Sequence, residues 1–247
     1  KAYEIARHTS ERSGNEELGF TVQSDEVDSG SAGYAVGDFS ISNTLELSYT
    51  EWCMSQLAGM LDLPEDQEKY LALSGSYRNV FDPQVGWFRA RNEDGSWKDW
   101  PEKGRLQDGY GTVESNPYQQ GWFVPHDVEG MVDLMGGINK VLPDLISFFE
   151  NVPEEMMWND YYNHANEPVH FVPYLFNRLG VPWLTQKWTR EICRRAYRNR
   201  VDGLVGNEDV GQMSAWYVLS AIGVHQACPG DLRYEITSPV FDEAEIQ

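Results

Sequence analysis

The segment Gly206-Asn207-Glu208-Asp209-Val210-Gly211 places two acids directly before a helical pattern. Apolar residues recur at helical spacing from Met213 to Ile222, and Gly223 follows as a helix-terminating glycine. Asp209 is therefore predicted to cap this helix, where backbone N–H groups and the helix dipole favour the charged carboxylate and fix its direction. A fixed, ionised carboxylate suits a general base. The alternative interpretation is that Asp209 is only a cap.

A second segment, from Glu114 to Asp127, combines an acid, amides, aromatic rings and a His-Asp pair. Most of its Tyr, Gln and Trp side chains are also compatible with an ordinary core and its rim. Glu114 and Asn116 are harder to explain in this way, because together they offer a proton-transfer group and a neutral oxygen ligand.

A third segment runs from His164 to His170 and contains two histidines and a glutamate. It does not predict a zinc site, because the HExxH arrangement needs histidines four residues apart on one helical face. Here they lie six residues apart, across a predicted helix start. The Asn166 amide and the Glu167 carboxylate offer hard oxygen atoms instead, and such ligands suit calcium.

Other familiar catalytic patterns are absent from the sequence. It contains no GxSxG nucleophile elbow and no glycine-rich phosphate-binding loop. A serine hydrolase and a nucleotide-binding enzyme are therefore not indicated.

Composition narrows the functional class further. The 247 residues contain 19 Lys and Arg against 39 Asp and Glu, so the formal charge is −20 and nucleic acid is an unfavourable partner. Nine Trp, 13 Tyr and 10 Phe accompany this acidity, and aromatic rings with many carboxylates fit sugar recognition as well as a large core. No apolar run is long enough to predict a membrane span.

Three cysteines, Cys53, Cys193 and Cys228, show no CxxC spacing, and their odd number does not indicate a disulfide framework. We expect them to be buried thiols. The chain begins at Lys1 without a recognisable secretion signal, so any targeting signal is expected outside it.

Hydrophobic periodicity predicts a mainly α protein. Predicted helices cover residues 2–12, 42–61, 65–80, 127–135, 142–149, 166–179, 185–199 and the segment after Asp209. A long acidic, glycine-rich loop is predicted from Gly14 to Gly37, and alternation from Arg233 to Thr237 predicts a strand. We expect a partial (α/α) toroid of helical hairpins over residues 1–225, then the start of a β segment over 226–247. An irregular helical bundle is the alternative.

The three segments and several shorter ones together resemble glycoside hydrolase family 92, in the same order and over almost the whole chain. The matching stretches are Asn43–Glu46, Phe81–Pro83, Glu114–Asn116, Gly121–Asp127, His164–Pro168, Pro173–Asn177, Gly206–Tyr217 and Ser238–Pro239. The resemblance implies a calcium-dependent exo-α-mannosidase that inverts the anomeric centre. Its substrates would be high-mannose N-glycans or mannans.

The resemblance also assigns roles to individual residues. Glu114 matches the general acid and Asp209 the general base, with Glu208 helping to orient the water. The calcium ligands would be Asn116, Asn166 and Glu167, and the sugar contacts His164, Trp122, Asn207 and Gln119. An inverting mechanism needs the two carboxyl groups roughly 6.5–9.5 Å apart, so these loops are expected to converge.

Members of the family are larger, with an N-terminal β-domain that contributes to the active site. The resemblance therefore implies that this chain is a fragment whose missing β-domain supplies further sugar contacts. We expect an extracellular or periplasmic location.

Two departures from the family pattern bear on specificity. Many relatives read Glu-Gly-Asn where this chain reads Glu114-Ser115-Asn116, and relatives that cleave mannose-phosphate diesters carry Gln instead of the acid. Glu114 therefore favours an ordinary glycosidase. Asn163-His164 differs from the pair found in α-1,2-selective relatives, so the linkage stays open. An inert carbohydrate-binding homologue is the main alternative, and another toroid glycosidase or a polysaccharide lyase is the third.

Overall fold

The computed structural model describes residues 1–11, 39–92 and 94–245. The predicted loop from Gly14 to Gly37 lies outside these ranges. Contacts divide the chain into two compact units, Lys1–Asp127 and Val128–Gln247. The first predicted helix corresponds to α1 (Ala2–Glu11), and helices predominate over short strands in both units, which confirms the mainly α class.

The first unit is built on a helical hairpin, as the sequence predicts. Helix α2 (Ser40–Met60) is followed by α3 (Pro64–Leu73), which continues as a 3₁₀ helix over Ser74–Val80. Pro64 stands in the first turn of α3, where its missing N–H leaves no helical hydrogen bond unmade. Tyr3 of α1 packs with Met54, Ala58 and Tyr70 in a buried cluster.

A small β-hairpin follows this helical pair, where the sequence predicts only turns. Strand β1 (Phe81–Asp82) pairs antiparallel with β2 (Trp87–Phe88), in a register that opposes Phe81 to Phe88. The Arg89 guanidinium donates to the buried Asp82 carboxylate at 2.8 Å. Burial is the largest single influence and raises the pKa of the Asp82 carboxyl. The hydrogen bond and charge of Arg89, together with the backbone N–H groups of Gln84 and Val85, outweigh burial and hold the pKa below its usual value.

The 3₁₀ helix Gly104–Leu106 and the short helix α4 (Pro117–Gln120) complete the regular elements of the first unit. The Trp87 indole N–H donates to the Pro117 carbonyl at 2.6 Å, and its ring meets Trp122 edge-on at 5.2 Å between centroids. The segment after Glu114 therefore packs against this hairpin.

The second unit contains helices α5 (Val128–Leu134), α6 (Ile138–Glu150), α7 (Leu175–Arg178), α8 (Pro182–Arg195) and α9 (Gln212–Ile222). The single helix predicted over 166–179 is wrong. The chain instead forms 3₁₀ helices at Glu167–Val169 and Val172–Tyr174 before α7. Pro173 explains the interruption, because it has no N–H with which to continue an α-helical ladder.

Two short strands follow α9. Gly223 ends the helix at φ 92°, as predicted, and strand β3 (Val224–His225) then pairs antiparallel with β4 (Glu235–Ile236). The predicted C-terminal strand is thus confirmed but is only two residues long. The proposed boundary at 225/226 falls directly after β3, and the division into a toroid and a β segment stays a prediction.

In the described part of the chain, no helix combines the length and apolarity needed to cross a membrane. The cysteines are free; Cys193 and Cys228 are buried, while Cys53 is half-buried. Burial raises the pKa of the Cys193 thiol to about 12.

Candidate active site

Glu114 is exposed and lies on a tightly bonded loop of the first unit. Its backbone has φ 48°, which is uncommon for a residue with a side chain. The Ser115 carbonyl accepts hydrogen bonds from the Thr112 hydroxyl at 2.6 Å and the Gly109 N–H at 3.0 Å. These bonds hold the loop on both sides of Glu114 in sequence, so the backbone of Glu114 is fixed.

The start of α2 anchors the same loop. The Gly111 carbonyl accepts from the N–H groups of Ile41 and Ser42 at 2.9 and 3.1 Å, and the Ser42 hydroxyl accepts from the Val113 N–H at 3.0 Å. A Cβ at Gly111 would lie 2.9 Å from the Ala90 Cβ, so the close approach requires glycine. The segment Asn43–Glu46 lies in this helix. The bonds from the start of the helix therefore connect that segment to the Glu114 loop.

Asn116 and Gln119 form a capping box at the start of α4. The Asn116 side-chain oxygen accepts from the Gln119 N–H at 2.9 Å, and the Gln119 side-chain oxygen accepts from the Asn116 N–H at 3.3 Å. Both residues are buried, and so is Trp122, which is 0% exposed. The structure therefore gives Gln119 and Trp122 packing and capping positions, and their predicted sugar contacts stay predictions.

The prediction that Asp209 caps α9 is wrong. The N-cap is Gly211, and the capping carboxylate belongs to Glu208, which accepts from the Ser214 N–H at 2.9 Å and the Ser214 hydroxyl at 2.8 Å. The Asp209 carbonyl accepts the Gln212 N–H at 3.2 Å, so Asp209 contributes its backbone to the helix start and leaves its exposed side chain outside it.

Three consecutive residues before α9 have left-handed backbone: Asp209 at φ 35°, Val210 at φ 59° and Gly211 at φ 87°. Val210 is β-branched, and such residues rarely adopt this conformation. Strain of this kind persists only where the surroundings hold the chain, and it is concentrated at functional sites. Glu114 and Asp209 both have this left-handed backbone conformation.

One of these surrounding contacts is between Gly206 and Ala165. A Cβ at Gly206 would lie 2.6 Å from both the Ala165 Cα and the Ala165 carbonyl oxygen. The segment with Asp209 therefore enters its turn directly against the backbone of the His164–Pro168 segment.

We expect Gly206→Ala to destabilise the second unit by about 1–3 kcal/mol, because the new methyl group meets backbone atoms that cannot move cheaply. Urea unfolding of the full-length protein measures this loss. Gly75→Ala is the control, since its Cβ would meet only the end of the Arg78 side chain at 3.2 Å. Equal losses for both variants would contradict the importance of the Ala165 contact.

His164 is fully buried and bonded at both ring nitrogens. The Tyr197 hydroxyl donates to the Met213 carbonyl at 2.9 Å, so it must accept from His164 Nε2–H at 2.7 Å. Nδ1 then accepts from the Tyr162 hydroxyl at 2.8 Å. Burial, with His170 adding to it, holds the pKa of His164 well below its usual value, which fits this neutral tautomer. The structure thus favours a supporting role over the predicted sugar contact.

His170 extends this network towards α9. Its Nε2 donates to the His164 carbonyl at 3.0 Å, and its own carbonyl accepts from the Trp216 indole N–H at 2.7 Å. Burial lowers the pKa of His170 to about 4. Gln212 Nε2 lies 3.4 Å from His170 Nδ1, so a second contact joins this histidine to the first turn of the helix.

The predicted metal ligands offer hard oxygen donors. Asn166 is 6% exposed, and Glu167 begins the following 3₁₀ helix. Over residues 1–11, 39–92 and 94–245, no three His, Cys, Asp or Glu side chains form a metal-binding group. The predicted set contains one carboxylate and two amides. This chemistry fits a Ca²⁺ site completed by water or hydroxyl groups.

The two units divide the predicted site residues between them. Glu114, Asn116, Gln119 and Trp122 belong to the first unit, and His164, Asn166, Glu167, Asn207, Glu208 and Asp209 belong to the second. Within the second unit, the Gly206–Ala165 contact brings its two segments together. Asn207 is exposed, as a sugar contact must be. The convergence of all these loops stays a prediction.

Sequence reasoning missed Tyr197, which connects His164 to α9. Tyr197 follows α8 in sequence and belongs to no recognised motif, so nothing in the neighbouring residues indicates a functional role for it. Its ring also lies parallel to that of Trp216, 6.0 Å away with an interplanar angle of 2°. Only the fold reveals the connection.

Comparison with known proteins identifies relatives of the whole chain. The catalytic-domain sequence model of glycosyl hydrolase family 92 matches residues 1–247. A protein of Arthroderma benhamiae described as an uncharacterized secreted glycosidase is 27% identical over 229 residues, which cover 84% of this chain and 28% of that protein.

Solved structures agree with this match. A family 92 α-mannosidase of Bacteroides thetaiotaomicron in complex with mannoimidazole is 31% identical, with a TM-score of 0.84 over 96% of this chain and 32% of its own. A family 92 inverting mannosidase of the same bacterium is 28% identical, with a TM-score of 0.74 over 96% of this chain and 35% of its own. This chain therefore spans about a third of the length of these relatives.

Proposed function

Because the chain belongs to glycosyl hydrolase family 92, we propose that the protein containing it is an exo-acting α-mannosidase that inverts the anomeric centre. One solved relative described as an α-mannosidase and another described as an inverting mannosidase support the proposal. Its substrates are terminal α-linked mannose residues of high-mannose N-glycans or mannans. Abundant aromatic rings and carboxylates suit such sugars.

The observation that carries the proposal is the placement of Asp209. This carboxylate is exposed on a left-handed turn that is held by the Gly206–Ala165 contact on one side and by the Glu208–Ser214 bonds on the other. A base that activates water needs such a fixed, accessible position.

In the proposed reaction, Asp209 removes a proton from water as the water oxygen attacks the anomeric carbon. Glu114 gives its proton to the departing glycosidic oxygen on the other face of the sugar. The carboxylate of Glu208 fixes the turn that carries Asp209, because it is bound to Ser214 at the helix start. Its role in orienting the water would then be exerted through this turn.

The direct test is hydrolysis of an aryl α-mannoside by the full-length protein, with the first product followed by NMR. We expect release of β-mannose. Release of α-mannose would overturn the inverting mechanism, and sugar binding without turnover would identify the inert carbohydrate-binding homologue instead. Release of a sugar other than mannose would refute the substrate class.

We also propose that the protein uses calcium, held by Asn116, Asn166 and Glu167. When bound, the ion would supply Lewis-acid coordination of sugar hydroxyl groups. Asn166 contributes hard oxygens directly before the Glu167 carboxylate, at the start of a 3₁₀ helix whose proline fixes the backbone. Gly206 contacts Ala165 and the His170 ring donates to the His164 carbonyl, so the two residues directly before Asn166 are held in place.

Glu167→Gln in the full-length protein is expected to weaken calcium binding at least tenfold, because it removes the only carboxylate from the proposed set. Calorimetric titration measures the affinity. Glu191→Gln, which changes an acid on α8 that pairs with Arg194, is the control. Unchanged affinity in Glu167→Gln would remove this residue from the ligand set.

We further propose an extracellular or periplasmic protein, since the curated relative is described as secreted. The N-terminal β-domain expected from the family resemblance is proposed to complete the sugar site. Fractionation of cells that express the full-length protein tests the location.

A further inference from the structure

The Tyr197 hydroxyl connects the buried His164 to the start of α9. It accepts from His164 Nε2 at 2.7 Å and donates to the Met213 carbonyl at 2.9 Å. Met213 is the second residue of α9, and its own N–H faces the Glu208 carbonyl at 3.5 Å. Through Met213, Tyr197 is thus connected to the segment from Gly206 to Gly211, which we call the acidic turn.

This chain of hydrogen bonds has a single direction. A carbonyl oxygen only accepts, so the one proton of Tyr197 points to Met213, and His164 must donate from Nε2. The Tyr162 hydroxyl then donates to Nδ1. The opposite tautomer of His164 would turn the Tyr197 proton towards Nε2 and break its bond to the Met213 carbonyl, so only one arrangement makes all three bonds.

The acidic turn is therefore held at both ends by neighbouring residues of one segment. At its entry, Gly206 packs against Ala165. At its exit, Met213 is bonded through Tyr197 to His164. Between these points lie Asp209 and Val210 in left-handed backbone, a conformation that needs such support.

We propose that Tyr197 is a positioning residue for the water-activating turn. By joining the Met213 carbonyl to His164, its hydroxyl fixes the position of the first turn of α9. This position in turn fixes the direction of the Asp209 carboxylate. This inference rests on the proposed function, in which Asp209 is the base. It assigns Tyr197 no contact with substrate.

The chain offers a matched control on the same helix. The Tyr174 hydroxyl also bonds to α9, at the Ser220 hydroxyl, 2.5 Å away, although Tyr174 is fully buried and Tyr197 is half-buried. Ser220 lies near the opposite end of the helix from Met213. Tyr174→Phe and Tyr197→Phe therefore each remove one hydroxyl group that bonds to α9, but only the second removes it beside the acidic turn.

The experiment uses both variants in the full-length protein with an aryl α-mannoside. We expect Tyr197→Phe to lower kcat by about tenfold to a hundredfold with KM nearly unchanged, since a small misplacement of a catalytic group costs this much. Tyr174→Phe should lower kcat less than about threefold on the same grounds. Equal losses in the two variants would overturn the proposal.

Hydrogen exchange gives a readout that does not depend on activity. In Tyr197→Phe, the backbone amides of residues 206–214 should exchange about tenfold faster, while Tyr174→Phe leaves them as in the wild type. Unchanged exchange in Tyr197→Phe would refute the positioning role even if activity fell. A wild-type protein inactive on every mannoside would refute the proposed function, and the exchange rates would still decide whether Tyr197 holds the turn.

Discussion

Asp209→Asn in the full-length enzyme is expected to lower kcat by about 10²–10⁴-fold on every mannoside, because the neighbouring Glu208 carboxylate is bound to Ser214 and does not replace the base. Glu114→Gln should lower kcat by a similar factor on a mannobiose, whose sugar leaving group needs a proton. On a dinitrophenyl mannoside the loss should be much smaller, because this leaving group departs as an anion. Steady-state kinetics on the two substrates measures both effects.

Two exposed acids outside the matching segments provide controls for these variants. Asp202 pairs with Arg200 on the surface, and Glu129 lies in the first turn of α5. Asp202→Asn and Glu129→Gln should leave kcat unchanged on both substrates. Equal losses on both substrates for Glu114→Gln would show that Glu114 is not the general acid.

Arg89→Met is expected to destabilise the first unit by about 3–5 kcal/mol at pH 7, because it leaves the buried Asp82 carboxylate without its cation. Asp82 is 1% exposed at its side chain, and the Arg89 guanidinium lies 2.8 Å away. The Gln84 N–H, which donates to the other carboxylate oxygen at 2.9 Å, compensates only in part. Urea unfolding measures the loss.

The pH dependence of this variant gives an independent check. In the wild type, the lowered pKa of Asp82 stabilises the fold above the unfolded pKa, and this stability is lost as pH falls through the folded value. Without Arg89, the cation no longer offsets the effect of burial, so we expect the pKa of Asp82 to rise and acidification to neutralise the unpaired charge. The difference in the free energy of unfolding between wild type and variant should therefore shrink from pH 7 to pH 4.

The double variant Asp82→Asn, Arg89→Met provides a control. It should be less destabilised than Arg89→Met alone, and a greater loss would contradict this explanation.

Much of the helical framework follows from the sequence. The α2–α3 hairpin, α8 and α9 have long periodic patterns with proline or glycine at their ends, and these local signals are sufficient. The β1–β2 hairpin was not predicted, because strands of two residues are too short for an alternating pattern. The prediction of one helix over 166–179 was wrong. The apolar residues there have helical spacing, but Pro173 interrupts the helix.

The sequence by itself determined the family, the helices and the identity of the acids, because these depend on residue types at fixed spacing. It did not determine which carboxylate caps α9. That choice depends on the left-handed turn from Asp209 to Gly211, and Ala165 contacts the entry to this turn from about forty residues away in sequence. Likewise, the burial of His164 depends on Tyr162 and Tyr197. Contacts between distant segments set these features, and no local pattern encodes them.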